Sequence, residues 1–338
     1  MVRSKTVHFI AALPLTILPL CALAQGEFGT LQAEEPPAGT FVGEIAQLQL
    51  GETRRLELET AIKSREYTRA ETILVEEAER EPKSPRAAKA LVLAGGIFFV
   101  DAKYLNSVIA WKKAEAITPL DERSRFTLAM AYIKLNHREW ARPELDKLSA
   151  TQPANALYLY WLARLDYDAR SYTTAMERLR KVLALDPKMM RAYDTLGLCY
   201  DYLGQFDEAI RNYEHAIELN RVQAKPSPWP HMDMAASLIS VNRLPEAEKN
   251  LRQALAYDEQ LPQAHYQLGR VLEMRGELKA AAVELERAAS LDHSYAEPHL
   301  LLGRIYHRLE QPGKAKAEIE RYQQLKGAAD KPSAGLLP

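Results

Sequence analysis

The chain has 338 residues, of which 47% are hydrophobic and 26% charged, the makeup of a folded protein with room for one large or several ordinary domains. A formal net charge of −1 excludes an overall basic field that would draw it to nucleic acid or anionic membrane. Alanine and leucine recur while Gly (15) and Phe (7) are scarce, which favours helix, since Ala and Leu cost little to place in one.

Residues 1–24 read as a secretory signal peptide. Arg3 and Lys5 precede an uncharged apolar run from Val7 to Leu23 that exits through Ala22-Leu23-Ala24. Pro14 and Pro19 interrupt that run, and it is short for roughly 30 Å of hydrocarbon. The chain is therefore expected to be exported, periplasmic or secreted, with an uncleaved membrane anchor as the alternative. Cys21 follows Leu20, where lipoprotein signals resemble one another in having a small residue. Cleavage after Ala24 removes two basic residues and no acid, moving the charge from −1 to −3. It leaves Cys199 alone, so packing and not an internal disulfide must hold the fold. Residues 25–50 lack sustained periodicity and are expected to form a flexible linker.

From residue 51 onward three markers recur. Ala192-Tyr-Asp-Thr-Leu-Gly197, Ala264-His-Tyr-Gln-Leu-Gly269 and Pro298-His-Leu-Leu-Leu-Gly303 look alike, and the last two glycines lie 34 residues apart. An aromatic or Leu, two residues and then Ala appears at Tyr67–Ala70, Tyr172–Ala175, Phe206–Ala209, Leu244–Ala247 and Leu278–Ala281. An Asp-Pro-like ending falls at Pro82, Pro119, Pro153 and Pro187, with Asp258 and Asp292 one place earlier in their own repeats. Together they set units starting near Gly51, Ala88, Glu122, Ala156, Met190, Pro228, Pro262 and Ala296. Short insertions, Lys83–Arg86 and Val222–Ser227, account for the two intervals longer than 34. Each unit reads as two helices of about fourteen residues with apolar positions three or four apart. Gly204 should end one first helix in a left-handed conformation. The second unit carries Ser107 where Ala is usual, and Pro143 and Asn136 make the third less regular. Residues 326–338 are expected to be a disordered tail.

These markers resemble the tetratricopeptide repeat, over about four-fifths of the chain. The resemblance implies an all-α, right-handed superhelical solenoid of about eight helix-turn-helix units spanning 51–325, in which stacked neighbours share a continuous core. It also implies a concave groove lined by the second, fifth, ninth, twelfth and thirteenth positions of each first helix. The fourth unit places Tyr160, Arg164, Tyr167 and Asp168 there, and the fifth Arg191, Asp194, Asp201 and Tyr202. The sixth places Trp229 and Met232, the seventh Tyr266, Arg270, Glu273 and Met274, and the eighth Leu300, Arg304, His307 and Arg308. Tyr, Trp, Met and Arg are the types enriched at interface centres, so the groove is expected to bind a protein or peptide segment. Some members of the family clamp a C-terminal carboxylate with Lys and Asn. Here those places hold Tyr160, Arg164, Thr195, Trp229 and Asp233, which does not support such a receptor. Self-assembly through the end units is the alternative to groove binding.

Phosphate-loop, dinucleotide, zinc-protease and serine-hydrolase motifs are absent from the sequence, so neither an enzyme nor a cofactor is expected. Cys199 reads as a buried, inert thiol. His231, His265 and His299 share the fourth position of three successive units, yet a helix-pair spacing of about 10 Å is too wide for one zinc. They read as packing rings.

Overall fold

A computed structural model describes residues 40–329, so the expected signal peptide, most of the expected linker and the last nine residues lie outside the described residues. Among the described residues there are seventeen helices and no strand. A short α1 (Thr40–Ala46) precedes eight pairs. They are α2 (Glu52–Lys63) with α3 (Tyr67–Arg80), α4 (Pro85–Val100) with α5 (Tyr104–Glu115), α6 (Glu122–Lys134) with α7 (Arg138–Thr151), and α8 (Ala156–Asp168) with α9 (Tyr172–Leu185). There follow α10 (Met190–Tyr202) with α11 (Phe206–Asn220), α12 (Trp229–Ser240) with α13 (Leu244–Tyr257), α14 (Pro262–Met274) with α15 (Leu278–Leu291), and α16 (Ala296–Arg308) with α17 (Pro312–Ala329).

Local chemistry sets the ends of these helices. The side chains of Ser84, Asp121 and Asn155 accept hydrogen bonds from the first free backbone N–H groups of α4, α6 and α8. Pro85 and Pro262 open α4 and α14, where a missing N–H costs nothing. Between the two helices of every pair stands one residue with positive φ: Arg65, Ala102, Asn136, Arg170, Gly204, Asn242, Gly276 and Glu310. The residue after it typically donates its N–H five positions back, as Ser171 does to the Asp166 carbonyl at 2.8 Å and Glu277 to that of Leu272 at 2.9 Å. This closure satisfies carbonyls that the helix end would otherwise leave open. Gly204, at φ 70°, takes the conformation its sequence position requires.

The helices divide into two bodies, residues 40–203 with 211–226 and residues 204–210 with 227–329. In the N-terminal body a first cluster gathers Ile45, Leu48, Leu58, Leu74, Leu93 and Ile97, and a second gathers Trp111, Leu128, Leu145, Trp161, Leu179 and Cys199. The linker expected at 25–50 thus needs correction for its described part. Ile45 and Leu48, three apart on one side of the chain, are buried in the first cluster and hold α1 in place. α4 begins at Pro85, so Pro85 and Arg86 of the Lys83–Arg86 insertion lengthen a helix. At the other end α17 runs to Ala329, past the point where a disordered tail was expected.

Close helix approach explains the marker glycine. A Cβ added to Gly197 would lie 2.6 Å from the Tyr213 ring, sixteen residues on. In the C-terminal body the same addition to Gly269 would meet Leu285 at 2.6 Å, again sixteen residues on. Only hydrogen leaves room for the second helix at these points. Ser107 in α5 is fully buried and donates to the Gly95 carbonyl at 2.6 Å, which accounts for a hydroxyl where Ala is usual. In the C-terminal body Leu268, Leu272, Leu285, Leu302 and Ile305 are buried between successive helices. Among the described residues no helix is long and apolar enough to cross a membrane.

Candidate partner-binding faces

The expected groove residues sit on first helices, and each body presents its own set. On α8 and α10 of the N-terminal body the set is largely tied up internally. Tyr160 is buried and meets Trp161 edge-on at 5.5 Å. Asp201 is 5% exposed and accepts a hydrogen bond from the Tyr213 hydroxyl at 2.7 Å. Both therefore face the interior and offer a partner little surface. Tyr167, Tyr172 and Tyr202 form a half-buried aromatic triangle: Tyr172 and Tyr202 stack at 4.7 Å, and Tyr167 stands edge-on to each at 5.7 Å. Arg164 lies over the Tyr167 ring at 5.1 Å, with Nε 3.6 Å from Asp168 Oδ1, while Arg138 Nε donates to Asp168 Oδ2 at 2.8 Å. Asp194, half-buried on α10, has one oxygen without a hydrogen-bond partner. Burial pushes its carboxyl up to about 7, against the pull of Arg164 and Arg191. Arg191 itself is exposed.

The C-terminal body is built differently. Trp229 and Met232 are half-buried on α12. On α14 Tyr266 packs 5.2 Å from Tyr295, and Arg270 lies 5.8 Å from the Tyr266 ring centre while donating to Gln267 at 2.8 Å. Burial pushes the Tyr266 hydroxyl up, with Arg270 opposing. Glu273 is 9% exposed, and its Oε1 accepts from Arg304 at 3.1 Å and from Arg308 at 3.5 Å. Those arginines stay open to solvent, with side chains 63% and 50% exposed. His307 is exposed beside them.

The three aligned histidines need a correction: they do more than fill space. Each bonds a residue of its own unit's second helix nineteen positions on: His231 to Asn250 at 2.7 Å, His265 to Glu284 at 2.7 Å and His299 to Glu318 at 2.6 Å. Burial lowers the His231 pKa; for His265 burial is outweighed by the Glu284 carboxylate, and its pKa is raised. Each ring thus engages its own partner, and among the described residues no group of three or more potential ligands surrounds a metal position. Cys199 is fully buried, and burial pushes its thiol up to about 12, so it holds its proton. Two clefts of about 500 and 700 Å3 are lined by none of the expected groove residues. Sequence reasoning missed Arg138, Tyr172 and Tyr295, which lie outside the first helices yet complete their clusters. Tyr172 was already visible as the aromatic marker opening a second helix.

Comparison with known proteins agrees with this architecture. Residues 232–296 and 296–328 match tetratricopeptide repeat families, and residues 144–216 match a family described as anaphase-promoting complex, cyclosome, subunit 3. The chain carries tetratricopeptide repeats. Among solved structures, a tetratricopeptide repeat protein from Parabacteroides merdae is similar over 78% of this chain and 99% of its own, at 17% identity and TM-score 0.62. The APC/C hetero-tetramer Cut9-Hcn1 is similar over 81% of this chain and 60% of its own, at 13% identity and TM-score 0.59. PilW, titled a widely conserved type IV pilus biogenesis factor, is similar over 63% and 95%, at 20% identity and TM-score 0.55. At these identities the likeness concerns the fold. None of the curated proteins compared matches the chain.

Proposed function

We propose that this tetratricopeptide repeat chain is a non-catalytic protein-binding scaffold, exported to the periplasm or the extracellular space, whose first-helix faces hold a peptide segment of a partner. The observation that carries the reading is the combination on α14 and α16. Solvent-open arginines there are oriented by a buried carboxylate, beside a tyrosine and exposed apolar side chains. Interfaces draw their energy from such aromatic and guanidinium anchors, and a groove built on rigid helices loses little entropy when a partner docks. Export rests on the residue pattern of the first 24 positions, and absence of catalysis on the lack of any reactive constellation in the sequence.

A crosslinking pull-down from the native envelope tests this. Wild type is compared with an N-face variant, R164A/Y167A/Y202A, and a C-face variant, R270A/R304A, each of checked helicity. A partner retained by wild type and lost by either variant supports the scaffold. Equal capture by all three overturns binding at these faces and transfers the function to the end units, where self-assembly would show as a concentration-dependent dimer.

A further inference from the structure

On α14 and α16 the residues spaced four apart form two lines, Tyr266–Arg270–Met274 and Leu300–Arg304–Arg308, each on one side of its helix. The lines are in register, because 266 and 300, 270 and 304, and 274 and 308 occupy equal positions of successive units. Three guanidinium groups therefore stand on this face with one buried acid, Glu273, and one further acid, Glu297, which already accepts from Lys326 at 2.7 Å. Exposed His307 adds no negative charge. Met274, 49% exposed, and Leu300, 37% exposed, leave apolar surface at the two ends of the arginine array.

Arg304 and Arg308 share a single oxygen of Glu273. Each guanidinium carries five N–H donors, so most remain unspent, and the buried carboxylate fixes where they are offered. We infer that this face recognises an acidic peptide segment of the partner, its carboxylate side chains bridging Arg304 and Arg308 and its apolar side chains resting on Met274 and Leu300. This specifies the partner chemistry of the face proposed above and rests on that reading. A neutral segment would leave the donors to water. A phosphate backbone would leave Met274 and Leu300 without an apolar contact.

The test measures fluorescence anisotropy of the full mature chain with a labelled twelve-residue peptide of repeating Glu-Leu-Asp-Phe. Controls carry Gln and Asn for the acids, or Lys for the acids, and a poly-uridine strand serves as the nucleic-acid arm. The acidic peptide is expected to bind at least ~10-fold more tightly than the amide version, as two charge-assisted bonds require. R304Q/R308Q, with helicity retained, should erase that preference. E273Q should weaken it by less than R304Q/R308Q does, since both arginines remain but lose the carboxylate that orients them. Equal binding of acidic and amide peptides overturns the inference, as does tighter binding of poly-uridine. E273Q leaving the preference unchanged overturns the orienting role given to Glu273. If the pull-down still captures a partner through the N-face while the acidic peptide fails to bind, the inference falls alone and the scaffold stands. If capture is equal in all variants as well, the scaffold falls with it.

Discussion

The two bodies carry the same helix pairs and use them differently. On the N-terminal face the charges answer one another: Arg138 and Arg164 flank Asp168, Asp201 is closed off by Tyr213, and three tyrosines pack on themselves. On the C-terminal face Arg304 and Arg308 draw on one buried acid and stay open. One repeat frame can thus turn equivalent positions into internal packing or into an outward-facing surface. What decides is whether neighbouring units supply a counter-charge and a ring to cover it.

The comparison can be broken at several points, the largest at the marker glycines. Gly197 faces the Tyr213 ring and Gly269 the Leu285 side chain, both fully buried, so G197A and G269A should each cost about 1–3 kcal/mol. Thermal or urea unfolding of the two variants measures both, and no loss in either would contradict the account of helix approach. Next is Asp194. Its carboxyl is raised in the folded chain, so the folded state binds a proton more tightly than the unfolded one, and stability falls as pH rises from about 4 to about 7. D194N should remove that slope and stabilise the N-terminal body at neutral pH by about 1–2 kcal/mol, discounted for a half-buried, partly hydrated group. Urea midpoints at pH 4.5 and 8 test this, and a slope that survives the substitution would sink it.

A smaller effect should appear at His265 in the C-terminal body. Its pKa is raised above the ordinary 6.5 because the Glu284 contact outweighs burial. That contact stabilises fully below pH 6.5 and is lost as pH rises through the folded value. H265Q should lower the unfolding free energy more at pH 5.5 than at pH 8.5, by about 1 kcal/mol or less. Smallest are the turns. The N-terminal body closes its pairs with Arg65, Ala102, Asn136 and Arg170 in the left-handed region, whereas the C-terminal body has Gly204 and Gly276 there beside Asn242 and Glu310. A102G should therefore stabilise by about 0.5–1 kcal/mol, offset in part by the freer unfolded chain. G276A should destabilise.

The fold was legible in the sequence because three independent markers kept one 34-residue frame. Gly197 and Gly269 are there for helix contact, and the aromatic and Ala positions open the second helices. What the frame could not say was how far structure extends beyond it. Phe41, Ile45 and Leu48 have helical spacing over only about two turns, too short a run to stand out in the sequence, yet Ile45 and Leu48 are enough to pin α1. The face was legible as a set of positions but not as a set of environments. Position alone could not distinguish Asp201, buried under Tyr213, from Glu273, which orients two open arginines. Nor could it supply Arg138, Tyr172 and Tyr295, because those residues reach the face from elements other than the first helices.

The most direct measurement of the central claim is site-specific photo-crosslinking in the native cell. A photoreactive residue would replace Tyr167 or Arg304 on the first helices, and Trp140 or Lys249 on the second helices α7 and α13. The account predicts a discrete partner adduct from 304, from 167, or from both, and none from 140 or 249. Adducts of the same partner from 140 and 249, with none from 167 or 304, would contradict it.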